Sequence, residues 1–164
     1  MLYNAIKNDS FKVFEAPQLY QRESNDIFCF LAGGITGCPN WQKDIINSFE
    51  GSIKDNIKNL VLFNPRRENF PIHDPNAANE QISWEFKYLE QMDIFSMYFC
   101  NCNSDQPICM YELGRNIAKM QQRFPNDWMN RIVITVEEGY KRQADVEIQT
   151  KLATNGAVIA KTFD

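Results

Sequence analysis

The stretch Ile27-Phe28-Cys29-Phe30-Leu31, followed by Ala32-Gly33-Gly34-Ile35-Thr36-Gly37, decides the fold. Five consecutive apolar residues suit a strand covered on both faces, as in the middle of a parallel sheet. The glycines mark a tight exit, and Trp41, Ile45, Ile46 and Phe49 then recur at helical spacing, predicting a helix from Trp41 to about Ile53. Strand, glycine turn and helix form the opening unit of an α/β domain.

Outward from this unit the alternation repeats. Leu60–Phe63 predicts a second core strand that runs into Asn64-Pro65-Arg66-Arg67. Residues Glu68 to Asn79, rich in Pro, Asn and Asp, read as a long loop and a candidate lid. Helical spacing resumes at Ile82, Phe86, Leu89 and Met92, and a third strand covers Ile94–Phe99. A second stretch of helical spacing, at Ile108, Tyr111, Ile117 and Met120, is followed by a strand at Arg131–Val136. A last helix over Ala144–Ala153 leads to a short strand at Ala157–Ala160, and Phe11–Phe14 reads as an extra edge strand. The pattern predicts one domain over residues 1–164, with 1–10 as a flexible N-terminus. Its class is a doubly wound, three-layer α/β/α sheet of about five parallel strands. Such sheets bind ligands beyond the carboxyl ends of their strands. The search for function therefore centres on Gly33-Gly34, Arg66-Arg67, the Phe99–Pro107 turn and the Glu137–Arg142 turn.

Composition narrows the field. A net charge of −4 and a pI near 5.1 provide no general basic surface, so direct nucleic-acid binding is not expected. The longest apolar runs are too short to span a bilayer, and Met1–Ser10 lacks the apolar core of a signal peptide. Five scattered cysteines, an odd number, point to a reducing, cytoplasmic compartment rather than a disulfide framework. Cys100-Asn101-Cys102 is too close a pair for a ready zinc site, and the single histidine, His73, reads as a loop residue, so no metal is expected. The glycines follow GGxxG rather than the dinucleotide GxGxxG, and no cofactor is expected.

Chemistry then rests on carboxylates. Glu112, in Met110-Tyr111-Glu112-Leu113-Gly114, lies early in a helix that starts beyond a strand's carboxyl end. Gly114 inside that helix costs roughly 1 kcal/mol against alanine, which suggests close packing or close ligand approach. Glu85 lies on the preceding helix, and Asp93 ends it. Two carboxylates at one mouth suit glycosidic chemistry: one attacks the anomeric carbon and the other manages the leaving group's proton.

The string Phe30–Gly37 with Trp41-Gln42 resembles the opening of the nucleoside 2-deoxyribosyltransferase-like proteins. Asn64-Pro65-Arg66-Arg67, Gln81–Glu85, Met92-Asp93-Ile94, Met97–Phe99, Tyr111–Gly114 and Glu138–Arg142 extend the likeness from about Phe11 to Val158. The resemblance implies a flavodoxin-like fold, a nucleoside or nucleotide substrate with an acceptor base, and a homodimer or larger assembly. It makes Glu112 the nucleophile and puts Glu85 where characterised members use an aspartate as acid/base. Asp93 is a third acid that orients the site or caps structure. Gly33 and Gly34 would border the sugar. Arg66 and Arg67 would meet a phosphate or close salt bridges at the loop base. Trp84 and Tyr98 are aromatic candidates for stacking, with core packing as their ordinary role. Cys29 and Phe30 stand where well-studied members carry a site tyrosine. Transfer to a second base, hydrolysis of a nucleoside 5′-monophosphate, and a non-catalytic binding or inhibitory domain all fit these residues.

Overall fold

The four core apolar runs are strands in the computed structural model, which describes residues 7–8, 11–52 and 59–162. In chain order the elements are β1 (Lys7–Asn8), β2 (Phe11–Glu15), β3 (Ile27–Gly33), α1 (Trp41–Ser52), β4 (Leu60–Asn64) and α2 (Ala77–Gln91). Then come β5 (Ile94–Phe99), α3 (Pro107–Arg123), a 3-10 turn (Trp128–Arg131), β6 (Ile132–Val136) and α4 (Gln143–Ala153). The strands form one sheet in the order β1-β2-β4-β3-β5-β6, with five of them parallel and β1 antiparallel to β2. Five parallel strands with four helices match the doubly wound α/β/α class. Residues 1–6 and 9–10 of the expected flexible N-terminus, and Ile53 of the expected first helix, lie outside the described residues.

Contacts gather into two compact units, Met1–Leu31 with Gln42–Asp93, and Ala32–Trp41 with Ile94–Asp164. The first is built on an aromatic core. Phe63 stacks on Tyr88 at 4.0 Å between ring centroids and meets Phe28 edge-on at 4.8 Å, while Trp84 meets Tyr88 at 4.9 Å. Such pairs add about 0.5–1.5 kcal/mol each beyond the area they bury. Trp84 Nε1 donates to the Gln18 carbonyl at 2.7 Å, and the Tyr88 hydroxyl accepts from the Tyr20 N–H at 2.7 Å. Both ring bodies are therefore buried without leaving a polar tip unsatisfied. In the second unit, α3 and α4 bring Leu113, Ile117, Met120 and Val146 into a core with Met97, Phe99, Ile134 and Val136 of β5 and β6.

Several expectations need correction. β2 is not an edge strand: it lies between β1 and β4 and pairs parallel with β4 from Phe11↔Leu60 to Glu15↔Asn64. The loop after β4 ends sooner than its polar composition suggested, because α2 begins at Ala77. On α2 the buried face carries Ala77, Trp84, Tyr88 and Leu89, whereas Ile82 and Phe86 are exposed. Residues 82 and 84 lie about 200° apart around a helix, so the two stripes occupy opposite faces. On α3 the buried residues are Cys109, Leu113, Asn116, Ile117 and Met120, and Ile108 and Tyr111 face solvent. Arg131 belongs to the 3-10 turn rather than β6. The expected strand at 157–160 is reduced to a single parallel bridge between Ala160 and Thr135.

Candidate functional site

In the first unit, the carboxyl end of β4 collects polar side chains from α1 and α2. Asn64 ends the strand, and its Oδ1 accepts the Arg66 N–H at 3.0 Å, turning the chain sharply. Arg66 Nη1 donates to Gln42 Oε1 at 3.2 Å. Arg67 is nearly buried and pairs with Glu80 at 2.6 Å, with its guanidinium 5.6 Å from the Phe70 ring centroid. Gln81 ties Glu85 into this group: its Nε2 donates to the Pro65 carbonyl at 2.6 Å and to Glu85 Oε1 at 2.7 Å. Residues 81 and 85 share a helix face, which is why this bridge forms.

Glu85 is half-buried. Burial pushes its carboxyl above the ordinary range, against the Gln81 hydrogen bond and the Arg67 charge, which pull it down. A carboxyl in that condition holds a proton at higher pH than a solvated glutamate, as a general acid must. Buried Gln42 Nε2, Arg67 Nε and Gln81 Oε1 have no hydrogen-bond partner among the described residues. Buried polar atoms are rarely left so, and three around one strand end suit a polar ligand.

Asp93 is placed differently. Its Oδ2 accepts from Arg22 Nη1 at 2.8 Å and from the Phe28 N–H at 2.9 Å, and its own N–H donates to the Phe28 carbonyl. Phe28 is near the amino end of β3, the end opposite to ligand binding in this class. These bonds tie Asp93 to the amino end of β3, in keeping with the capping role weighed for it.

In the second unit, Gly33 and Gly34 are explained by packing. A Cβ on Gly33 would collide with the Tyr98 carbonyl and the Trp41 ring, and one on Gly34 would collide with Gln106 Oε1 and Cys38 Sγ. Trp41 stacks on Tyr98 at 4.8 Å and donates to the Gly34 carbonyl at 2.9 Å, while the Gly34 N–H donates to the Tyr98 carbonyl at 3.3 Å. Gly33→Ala is expected to destabilise the chain by about 1–3 kcal/mol, the usual cost of overpacking. Its denaturation midpoint in urea, compared with wild type, checks this.

Trp84 and Tyr98 are both core side chains, not open stacking platforms. The Tyr98 hydroxyl donates to Glu137 Oε1, and Glu137 Oε2 accepts the Asn101 N–H. Glu137 is thus a carboxylate at the end of β6 that the sequence marked only as part of a turn.

Glu112 is half-buried in the second turn of α3, which opens with Pro107 after Gln106 in the left-handed conformation. Its backbone carbonyl accepts from Asn116 Nδ2 at 2.8 Å, and Asn116 is fully buried. Gly114 is not a packing glycine: a Cβ there would meet nothing within 4 Å. It opens on an apolar groove lined by Met110, Leu113, Ile117, Val146 and Thr150. His73 is exposed in the loop before α2, as expected. Cys38 joins Cys100 and Cys102, the pair set aside on spacing, and the three thiols all lie within 4.8 Å of one another.

Among the described residues, no helix is long and apolar enough to cross a membrane. None of the curated proteins searched matches the chain. The family described as "Nucleoside 2-deoxyribosyltransferase like" matches residues 26–124, a span that holds Glu85, Asp93 and Glu112 together with both glycines and both arginines. More than half of the sequence falls within that match, and the chain belongs to the nucleoside 2-deoxyribosyltransferase-like family.

Proposed function

We propose that this protein is an enzyme that breaks or exchanges the N-glycosidic bond of a nucleoside or nucleotide through a covalent glycosyl intermediate on Glu112. The observation that carries the reading is the family match, which spans both glutamates. The half-buried Glu85 carboxyl, tied to the end of β4 through Gln81, supports it from the geometry.

In the first step a carboxylate oxygen of Glu112 bonds to C1′ and the C1′–N bond breaks. Its electron pair leaves with the base, which takes the proton of the Glu85 carboxyl. In the second step an acceptor attacks C1′, loses a proton to Glu85 and displaces Glu112. Two displacements at one carbon give net retention. The transition states carry oxocarbenium character, which nearby carboxylate charge stabilises.

Water as acceptor and a 5′-monophosphate as substrate form a second reading. The buried N–H donors of Gln42 and Arg67 favour it, because both suit phosphate or sugar oxygens. A homodimer or larger assembly fits the exposed apolar pairs Ile82 and Phe86 on α2, and Ile108 and Tyr111 on α3. A reducing cytoplasmic setting fits five cysteines, none in a disulfide.

Incubating the protein with nucleosides and 5′-monophosphates, with and without a second base, tests the proposal. Free base alone supports hydrolysis, and a new nucleoside supports transfer. No product in any format, with wild type and Glu112→Ala indistinguishable, overturns the enzymatic reading.

A further inference from the structure

We propose that Cys38, Cys100 and Cys102 form a three-thiolate binding site for a thiophilic d10 metal ion, zinc above all. Cys38 follows the glycine turn after β3, whereas Cys100 and Cys102 lie in the turn after β5. The fold brings Cys38 Sγ to 3.1 Å from Cys102 Sγ, across 64 residues of sequence, and Cys100 Sγ lies 3.6 Å from Cys102 Sγ. Zinc–sulfur bonds of about 2.3 Å in tetrahedral geometry set sulfur–sulfur edges of roughly 3.8 Å. The three sulfurs therefore need to shift by less than about 1 Å to take the ion.

The donor set chooses the metal class. Sulfur-only coordination selects zinc and copper(I) over magnesium, calcium and manganese, which need oxygen. Three thiolates leave a net charge of −1 around zinc and −2 around copper(I). The smaller charge favours zinc, since Lys141 beside the turn, held by the Asn103 carbonyl at 3.0 Å, is already paired with Asp105 at 3.4 Å.

Surrounding groups orient the thiols. The Ser104 N–H points at Cys102 Sγ at 3.4 Å. The Gln106 amide is fixed by donation to the Cys100 carbonyl at 2.8 Å, which leaves its Oε1 3.8 Å from Cys100 Sγ, beside the three sulfurs. Groups of this kind hold metal ligands in place. Cys100 is buried, while Cys38 and Cys102 are half-buried, so the ion has an entry side. A disulfide between Cys38 and Cys102 would use two of these thiols and leave Cys100 without a role.

Binding converts three thiols to thiolates and releases their protons to solvent. The ion would pin the glycine loop to the turn after β5, because Gly34 packs directly on Cys38 and Gln106. This inference does not depend on the glycosidic reading.

The test uses the full chain, reduced and stripped with a chelator, then titrated with Zn2+ against a chromophoric chelator and separately with Co2+. One ion per chain and a thiolate-to-cobalt charge-transfer band in the near ultraviolet are expected. Cys38→Ser and Cys102→Ser should each weaken zinc binding at least tenfold, whereas Cys109→Ala should not. Zinc should also slow alkylation of Cys38, Cys100 and Cys102 in the wild-type chain, mapped by mass spectrometry, a readout that needs no variant to fold. Absence of the cobalt band, equal zinc binding by the serine variants, or unprotected thiols at saturating zinc overturns the proposal. So does a Cys38–Cys102 disulfide formed on mild oxidation by a chain that takes up no zinc when reduced.

Discussion

Glu112→Gln is expected to lower release of free base by roughly 10³-fold or more, because it removes the attacking oxygen while keeping the side chain's size. Glutamine at position 112 still lies on the half-buried face of α3, and the Asn116 bond is to the backbone carbonyl, so folding should be retained. A substrate with a fluorinated sugar, which slows breakdown of the intermediate, should add its sugar mass to wild type at Glu112 and leave Glu112→Gln unmodified. Intact-mass and peptide analysis read both results. Equal labelling of the two proteins would remove Glu112 from the chemistry.

Glu85→Gln is expected to lower activity by about 10²–10⁴-fold, the usual worth of a positioned acid–base group. Its pH signature distinguishes it from a structural residue. Burial raises the Glu85 carboxyl above its ordinary value, so the protonated form needed for base departure persists upward in pH. Wild-type kcat/KM should fall as pH rises through that raised value, and this limb should vanish in Glu85→Gln. The Glu85 contribution to stability has the same sign with pH. A carboxyl raised on folding favours the folded state below its ordinary pKa, and that favour is lost as pH rises through the raised value. The amide carries no charge to desolvate and still accepts from Gln81, so at neutral pH the variant should be at least as stable as wild type. Activity lost with stability kept, by rate profile and thermal melting, is the expected pair. A variant that loses both in proportion would make Glu85 a structural residue.

Local chemistry was legible wherever one segment suffices to decide it. Apolar runs at Ile27–Leu31, Leu60–Phe63 and Ile94–Phe99 have only one economical use, as strands covered on both faces, and they fixed the class of sheet. The motifs around Glu85 and Glu112 were legible as a family likeness in the same way, from residue types and order along the chain, and the family match spans both.

Helix faces were not legible. On α2, Ile82 with Phe86 and Trp84 with Tyr88 have the same spacing, and only the partner surface of Phe28 and Phe63 selects the aromatic pair. The polar tips of Trp84 and Tyr88 find backbone partners near Gln18 and Tyr20, which no sequence period encodes. Asp93 read as an acid that orients the site or caps structure; its partners Arg22 and the Phe28 N–H come from segments that no spacing along the chain reports.

The glycine turn shows the same division. The sequence alone determined that Gly33 and Gly34 end a buried strand in a doubly wound fold. Tertiary structure alone decided that the Tyr98 carbonyl, the Trp41 ring, Gln106 and Cys38 occupy the space a side chain would need. It alone also brought the distant Cys38 thiol to those of Cys100 and Cys102, because periodicity reports contacts along one element and says nothing of what chain crossing brings to its end.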